Sequence, residues 1–360
     1  MPDQPETSCK TVLAGTIAKC LLAEVKQGLS ELAAKPHLYG ILANDDPAAK
    51  VYADWTGKTC KDNGFKYTLH TVAKDDAEEA IIAANQDDSI DGIIVYYPIF
   101  NSRQDQYLQQ IVDVRKDVEG LSHQYIFNMY QNIRFLDDQH LQKSILPCTP
   151  LAVIKILEYL HIYNTILPYG NRLFGRTICV VNRSEVVGRP LAALLANDGA
   201  SVYSVDITGI QQFTRGAGIR KRKNEVVEKT GMTLDECVPL CDVVVTGVPG
   251  DKYKFPSHLL KEGAVCINFS SEKVRSDPLP PLSPFNFSTT NGESWHVLTS
   301  LSLFPPQNFG PEVKERASIY VPAIGKVTIV ILLRNLLRIV QNNRSQKASK
   351  PALANGELWK

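Results

Sequence analysis

The residues best suited to chemistry lie in one continuous stretch, residues 177–206, TICVVNRSEVVGRPLAALLANDGASVYSVD. An apolar strand, a turn with the single glycine Gly188 and an apolar helix follow one another there. Gly188 permits a ligand to approach the backbone closely, and the amide groups and dipole of a helix start favour a pyrophosphate. Asp206 ends the next strand about 20 residues beyond the turn, where an acid typically accepts hydrogen bonds from ribose hydroxyls. The stretch therefore predicts a dinucleotide-binding β-α-β unit.

Two features of this unit leave alternatives open. The usual fingerprint has three glycines where this turn has one, so a β-α-β crossover without a ligand is the competing interpretation. The Asp206 carboxylate would repel a 2′-phosphate and therefore favours NAD over NADP. Arg183 in the same turn could instead serve a phosphate.

The composition favours an ordinary soluble protein. The chain has 360 residues, of which 44% are hydrophobic and 21% are charged, and this length suggests roughly two domains. A formal net charge of +1 argues against a nucleic-acid-binding or anionic-membrane protein. No apolar run approaches the roughly 20 residues that span a bilayer. We therefore expect neither a nucleic-acid partner nor a membrane partner.

The N-terminal sequence and the cysteines favour the cytoplasm. The residues MPDQPETSCK have neither an apolar signal core nor an Arg-rich amphipathic pattern, so export and organelle import are not expected. Eight cysteines are scattered without a CxxC motif, and Cys237 and Cys241 lack a second pair of metal ligands. We therefore predict reduced thiols, a cytoplasmic location and no bound metal.

Alternating strand-like and helix-like segments predict an α/β fold of two domains, with parallel strands covered by helices on both faces. A long helix that links the two domains has Thr149 as its candidate N-cap and Pro150 as its first residue. The predicted parts are a first, substrate-binding domain at 1–150, a Rossmann-like domain at 151–324, a C-terminal helix at 325–342 that completes the first domain, and a disordered tail at 343–360.

Residues 274–307, VRSDPLPPLSPFNFSTTNGESWHVLTSLSLFPPQ, interrupt this pattern. They are rich in proline and serine and lack periodicity, and a structureless loop of this length inside a compact domain is unusual. One hypothesis is a translated retained intron, because valine codons begin with GT, a glutamine codon is CAG, and the intervening LSLFPP can be encoded by a pyrimidine tract. The alternative is a genuine surface insertion, and the sequence does not choose between them.

Five short motifs occur together in the chain: RSEVVGRP, LPCTP (146–150), KDVEG (116–120), YYP (96–98) and VPAIGKVT (321–328). Their order and spacing resemble the methylenetetrahydrofolate dehydrogenase/cyclohydrolase family over nearly the whole chain except the 274–307 segment. Within that family the resemblance is strongest to fungal NAD-dependent members that carry only the dehydrogenase. It implies a tetrahydrofolate one-carbon substrate in a cleft, NAD on the second domain and a homodimer. A turn with a single glycine is itself typical of that family.

The predicted NAD contacts combine the turn, the strand ends and this resemblance. Open α/β sheets bind ligands at the carboxyl ends of their strands, which is where the segments VVVTGVP and AVCINFS end. The full predicted set is Thr149, Asn182, Arg183, Ser184, Val187, Gly188, Asp206, Ile207, Thr246, Gly247, Val248, Pro249 and Asn268.

On the folate side the chain departs from the family pattern. The resemblance places Tyr52 on a helix that faces the folate, but the family's lysine four residues later is Thr56, and a family glutamine is Tyr96. Lys58 is rotated by about 200° from Thr56 and cannot easily substitute. In the family the lysine and glutamine handle protons and water during hydrolysis of the methenyl bridge, and threonine and tyrosine have no accessible pKa for that task. We therefore expect the hydrolase half of the activity to be lost.

Hydride transfer needs mainly a fixed geometry and a water-poor cleft. The resemblance implies that Tyr52 stacks on the pterin or benzoyl ring and that Asp117 or Glu119 binds the pterin. The residues do not choose between the two acids, and Asp117 could instead cap a turn. Cys148 lies near the nicotinamide by resemblance, although a packed thiol is equally consistent. The candidate catalytic residues are Tyr52, Thr56, Tyr96 and Cys148, and the candidate substrate-binding residues are Tyr52, Asp117 and Glu119.

The activity that the resemblance implies is NAD-dependent oxidation of 5,10-methylenetetrahydrofolate to the methenyl form, within one-carbon metabolism and purine biosynthesis. Two other interpretations remain open. One is a bifunctional dehydrogenase/cyclohydrolase in which Tyr96 or a bound water replaces the missing lysine. The other is a catalytically silent regulator that binds NAD or folate.

Overall fold

Two β-sheets organise the chain in a computed structural model, which describes residues 9–215, 223–249, 253–270 and 308–349. The strands are β1 Lys10–Thr11, β2 His37–Leu42, β3 Lys66–Thr71, β4 Gly92–Val95, β5 Thr177–Val181, β6 Ser201–Asp206, β7 Gly209–Thr214, β8 Glu225–Glu228, β9 Val243–Thr246, β10 Val265–Asn268 and β11 Ile319–Val321.

The helices alternate with these strands, as the sequence predicts. They are α1 Ala14–Ser30, α2 Pro47–Asp62, α3 Ala77–Gln86, α4 Arg103–Ile111, α5 His123–Tyr130, α6 Cys148–Tyr159, α7 Gly188–Asn197, α8 Leu234–Cys237, α9 Val313–Arg316 and α10 Gly325–Ser349.

The smaller sheet has three parallel strands in the order β3-β2-β4. Its two faces carry different buried clusters, because successive strand residues point to opposite sides. Leu38 and Ile94 pack on the face that α2 covers, whereas Ile41 and Ile93 pack on the face that α3 covers. The predicted parallel β-α units with both faces covered are therefore confirmed for this sheet.

The larger sheet has eight strands in the order β1-β11-β10-β9-β5-β6-β7-β8. The first six strands in that order are mutually parallel, and β7 and β8 add an antiparallel edge. The chain runs from β5 outward to β6 and later returns to β9 on the other side of β5. This reversal opens a crevice at the carboxyl ends of β5 and β9, which is where doubly wound sheets bind their ligands. The mostly parallel α/β fold is confirmed, and the antiparallel pair was not predicted.

Two helix boundaries differ from the prediction. Helix α6 begins at Cys148 rather than at Pro150, and Thr149 does not cap it, because Leu151 N donates to Pro147 O (3.0 Å) and closes the first turn two residues earlier than predicted. Helix α10 continues to Ser349, beyond the predicted end of the helix at residue 342. Hydrogen bonds from Asn342 Nδ2 to Lys143 O and from Asn343 Nδ2 to Arg115 O, both 3.0 Å, hold the helix where the tail was expected to begin. Residues 350–360 lie outside the described part.

The division into domains at residue 150 remains a prediction. Strand β1, near the start of the chain, belongs to the larger sheet, where it pairs with β11. Helix α10, from the other end of the described chain, packs on α1, α2 and α6. Segments from both ends of the described chain are therefore built into the fold.

The 274–307 segment lies outside the described residues, so its origin remains a hypothesis. The residues beside it are firmly placed: Phe269 N donates to Thr246 O (2.8 Å). Asn308 brackets Val248, accepting from its amide (2.9 Å) and donating to its carbonyl (3.0 Å). Both flanks therefore attach at the end of β9, two residues apart.

Deletion of residues 274–307 is expected to preserve folding, because three residues suffice to connect flanks that attach so close together. A shorter loop also costs less closure entropy, so the variant should gain up to ~2 kcal/mol in free energy of unfolding. Urea unfolding of both proteins measures this difference. A deletion variant that unfolds at a lower urea concentration than the full chain would show that the segment belongs to the fold. Asn308→Ala, which removes both side-chain hydrogen bonds to Val248, serves as the destabilised reference.

Candidate active site

Helix α2 brings Tyr52 and Thr56 to one face, as predicted. The helix starts cleanly, because the Asp46 side chain accepts from Ala48 N (3.0 Å) and Pro47 occupies the first position. Thr56 is fully buried and its hydroxyl donates to Tyr52 O (2.8 Å). The pKa of Tyr52 lies well above its ordinary value because the phenol is buried, and nearby Cys148 and Glu119 add to the rise. Three predicted site residues, Thr56, Glu119 and Cys148, thus lie near Tyr52.

Tyr96 closes this cluster from the end of β4. Its ring meets that of Tyr52 edge to face, with centroids 5.9 Å apart at 79°. Asn44 Nδ2 donates to Tyr96 O (2.7 Å) and holds the backbone. The Tyr96 hydroxyl lies 2.8 Å from the hydroxyl of Tyr67, a residue of β3 that the sequence analysis missed. Burial raises the pKa of Tyr67 to about 12 and that of Tyr96 further still, so both phenols stay neutral in physiological conditions.

Two lysines near α2 lie over the ring of Trp55. Lys58 places its ammonium group 5.4 Å from the centre of the Trp55 ring, and Lys326 from α10 lies 5.5 Å from the same ring. Trp55 is 45% exposed, whereas Thr56 is completely buried on another face of the helix. Lys58 therefore lies on the Trp55 side of α2, which supports the prediction that it cannot take the place of a lysine at position 56.

The two acids of the 116–120 loop, Asp117 and Glu119, differ in their hydrogen-bond partners. Both oxygens of Asp117 are occupied by backbone amides, one from Gly120 (2.9 Å) and one from Ser122 (2.8 Å). Asp117 therefore caps a turn, as the alternative interpretation held. Gly120 has a φ of +70°, and a Cβ there would lie 2.8 Å from the carbonyl carbon of Leu146. The turn thus needs glycine in order to pack on the segment that precedes α6.

Glu119 keeps most of its hydrogen-bonding capacity. It accepts one long bond, 3.3 Å, from Val95 N, whereas a carboxylate offers about four acceptor positions. Burial, followed by the charge of Asp117, raises its pKa from 4.5 to about 8. A half-buried acid with a raised pKa and unused acceptors is an indication of a functional group.

Cys148 has the geometry of a packed thiol. Its Sγ donates to Val118 O (3.2 Å), and Asn335 Nδ2 from α10 donates to that same oxygen (2.9 Å) and to Leu146 O (3.0 Å). Burial raises the pKa of Cys148 well above its ordinary value, so almost no nucleophilic thiolate is present. Asn335 was missed, although a single asparagine in the apolar run LLRNLL is a signal for a buried polar partner.

The turn after β5 requires its single glycine. A methyl group at Gly188 would overlap the carbonyl oxygen of Asn182. Asn182 has a φ of +99°, and its Nδ2 donates to Gly247 O (2.6 Å), which ties this turn to the end of β9. Gly188 N and Arg189 N donate to Oγ and O of Ser184, at 3.4 and 3.0 Å. These two amides at the start of the helix therefore have partners within the turn, and the pyrophosphate site remains a prediction.

Asp206 and Arg183 occupy the end of β6. The two Asp206 oxygens accept from Arg183 N (2.7 Å) and Ile207 N (2.8 Å). The Arg183 guanidinium donates to Ser204 O (2.8 Å) and Gly209 O (2.6 Å), so the structure commits it to the β6–β7 turn rather than to solvent. Ile207 is completely exposed beside the carboxylate.

The ends of β9 and β10 are joined by buried polar side chains. Thr246 Oγ1 donates to Asn268 Oδ1 (3.4 Å), and Asn268 Nδ2 donates to Pro322 O (3.0 Å). Gly247 leaves room for the ring of Phe269, which a Cβ would overlap. The remaining predicted contacts lie along the same edge or at its border: Val187 half-buried in the turn, Val248 half-buried and Pro249 exposed after β9, and Thr149 half-buried in α6.

Among the described residues, no helix combines the length and apolarity that crossing a membrane would require. The His, Cys, Asp and Glu side chains of this part of the chain form no group of three that could hold a metal ion.

The chain is similar to known proteins over most of its length. Residues 12–119 match the family model for the tetrahydrofolate dehydrogenase/cyclohydrolase catalytic domain, and residues 147–278 match that for the family's NAD(P)-binding domain. The chain is 52% identical to a methylenetetrahydrofolate dehydrogenase [NAD(+)] of Schizosaccharomyces pombe, covering 97% of both chains. It is 50% identical to the protein of that name in Saccharomyces cerevisiae, covering 92% of this chain and 96% of the other. A solved structure of the NAD-dependent 5,10-methylenetetrahydrofolate dehydrogenase from Saccharomyces cerevisiae superposes with a TM-score of 0.82 at 49% identity, over 94% of this chain and 99% of the other.

Proposed function

The chain belongs to the tetrahydrofolate dehydrogenase/cyclohydrolase family, and we propose that it performs only the dehydrogenase half of that family's chemistry. The reaction transfers a hydride from the methylene carbon of 5,10-methylenetetrahydrofolate to NAD⁺ and yields 5,10-methenyltetrahydrofolate and NADH. The names of the similar proteins from the two yeasts support the substrate and the cofactor. The observation that carries the loss of hydrolysis is the neutral, mutually bonded hydroxyl cluster of Thr56, Tyr67 and Tyr96.

On the folate side, Tyr52 and Glu119 have the freedom to bind substrate. The half-buried Tyr52 ring offers one face for stacking on the pterin or benzoyl ring. Glu119 has acceptor positions for the N–H and amino groups of the pterin, whereas both oxygens of Asp117 are already used. We therefore assign pterin binding to Glu119 and a structural role to Asp117. Cys148 and Asn335 position the loop that carries Glu119.

On the nucleotide side, the residues present fit NAD. Gly188 and Asn182 form a turn that admits no side chain, Asp206 lies at the end of β6 where a ribose is expected, and Ile207 is exposed for an adenine. The turn and the ends of β9 and β10 would hold the rest of the cofactor, which supplies the nicotinamide carbon that accepts the hydride. Because the Arg183 guanidinium is bound within its own turn, it supports NAD rather than NADP.

Assembly and location are also part of the proposal. The family resemblance implies a homodimer, and eight free cysteines are typical of a reducing compartment such as the cytoplasm. We propose a cytoplasmic homodimer whose product serves one-carbon metabolism, including purine biosynthesis.

The initial rate of methylenetetrahydrofolate oxidation with NAD is expected to exceed that with NADP by at least about tenfold in kcat/KM, or ~1.4 kcal/mol. Asp206→Asn should narrow this ratio, because the amide keeps an acceptor for Arg183 N but removes the negative charge. Asp235→Asn, an exposed change in α8, is the matched control. Equal rates with the two cofactors would contradict the assignment of Asp206.

A further inference from the structure

Two phenols from non-adjacent strands meet above a glycine in the smaller sheet. Tyr67 on β3 and Tyr96 after β4 are separated by β2, yet their hydroxyls lie 2.8 Å apart. They meet over Gly40 of β2, where a Cβ would lie 2.7 Å from the Tyr67 hydroxyl and 3.1 Å from the Tyr96 ring. A glycine inside a strand commonly marks such a close approach.

A second glycine fixes the Tyr67 ring from the helix side. A Cβ at Gly57 of α2 would lie 2.9 Å from two ring carbons of Tyr67. Glycine inside a helix costs about 1 kcal/mol relative to alanine, so its presence in α2 calls for a packing reason. The Tyr67 ring therefore lies between α2 and β2, beside Gly57, which is the residue after Thr56.

The hydroxyls of this cluster are bonded within the protein. Thr56 donates to Tyr52 O (2.8 Å) and is also hydrogen-bonded to the Tyr96 phenol. The Tyr67 and Tyr96 hydroxyls share a hydrogen bond of 2.8 Å in which either can donate. Burial raises the pKa of Tyr67 to about 12, so the cluster offers a water no phenolate base.

Hydrolysis of a methenyl bridge needs such a base. Water forms a C–O bond to the bridge carbon and loses one proton, then the C–N5 bond breaks while the hydroxyl proton moves to N5, leaving the N10-formyl product and one proton released. Without a group that accepts the proton lost by the attacking water, the protein does not catalyse the addition.

We propose that Tyr67 is a specificity-determining residue, whose phenol closes the water-activating position from the β3 side together with Thr56 and Tyr96. The inference rests on the proposed dehydrogenase function and deepens it. A lysine at position 56 would be longer than threonine and would run into the Tyr67 phenol. Restoring hydrolysis therefore requires removal of Tyr67 as well as changes at 56 and 96.

The test compares hydrolysis of supplied methenyltetrahydrofolate, without NAD, by two variants of the full chain. Thr56→Lys/Tyr96→Gln should stay close to the buffer rate. Adding Tyr67→Leu should raise the enzyme-dependent rate at least about tenfold, which is modest for a recovered general base. Tyr39→Leu in the same double variant is the matched control, because Tyr39 lies beside Gly40 on the opposite face of the sheet. The rate of hydrolysis by the control should not exceed that of the double variant.

Two outcomes overturn the proposal: a double variant that already hydrolyses as fast as the triple, or a folded triple variant no faster than the double. Tyr67→Phe in the double variant removes one oxygen and keeps the ring, so it provides a folded case if the leucine variant does not fold. Its rate of hydrolysis should also exceed that of the double variant. NADH formation by the unchanged protein tests the proposed function separately, because the hydrolysis assay contains no NAD.

Discussion

Glu119→Gln is expected to lower kcat/KM for methylenetetrahydrofolate at least about 100-fold, a loss of ~2.7 kcal/mol of transition-state stabilisation. The N–H donors of a bound pterin would favour the ionised form of Glu119 over the protonated form, and the ionised carboxylate would then accept charge-assisted hydrogen bonds. Glutamine keeps the shape of the side chain but has one acceptor oxygen and cannot ionise, so these bonds weaken. Steady-state kinetics with saturating NAD measure the loss. Glu79→Gln, an exposed change on α3, should leave kcat/KM unchanged.

The same substitution should stabilise the folded protein at alkaline pH. The folded-state pKa of Glu119 is raised from 4.5 to about 8. Stability from this acid is therefore complete below pH 4.5 and is lost as the pH rises to about 8, because the unfolded chain ionises first. Thermal unfolding should show a midpoint advantage of the glutamine variant that grows across this window and then levels off. An advantage that does not change with pH, or full activity of the variant, would contradict the role assigned to Glu119.

Gly188→Ala is expected to weaken NAD binding at least about 100-fold, a change of ~2.7 kcal/mol. The added methyl group would overlap the Asn182 carbonyl oxygen, so the turn must open. Opening it moves Asn182, whose side chain holds the turn to Gly247 at the end of β9. Titration calorimetry with NAD measures the affinity, and urea unfolding measures the accompanying loss of stability.

Gly325→Ala is the matched control for this change. Gly325 is also the first residue of its helix, but a Cβ there would meet no atom within 4 Å. The control should retain NAD affinity. If Gly188→Ala bound NAD as tightly as the control, the nucleotide site would not lie at this turn.

The sequence predicted local elements well where one segment contains its own signals. Apolar periodicity located β5, α7 and β6, and Asp206 ended β6 as expected. The lysine at position 58 could be excluded because helix geometry alone sets its direction. These inferences needed no contact beyond neighbouring residues.

Features that depend on distant contacts could not be predicted in the same way. Asp117 and Glu119 are both acids in one short loop, and only the backbone amides around Asp117 distinguish them. Asn335 reaches Val118 across 217 positions of sequence. The role of Tyr67 depends on a strand order in which β2 lies between β3 and β4. Gly40 and Gly57 were the available signals, because both are unfavourable in regular structure unless another group needs the space.

The central claim is that this cleft oxidises a one-carbon bridge and does not hydrate it. One progress curve tests it: NADH and methenyltetrahydrofolate measured together in the same reaction with NAD, after subtraction of the buffer hydrolysis rate. We predict that the two products accumulate in equal amounts throughout the reaction. Methenyl product that falls behind NADH in proportion to protein concentration would contradict the claim and indicate a bifunctional enzyme. Absence of both products despite NAD binding would contradict it in favour of a silent binding protein.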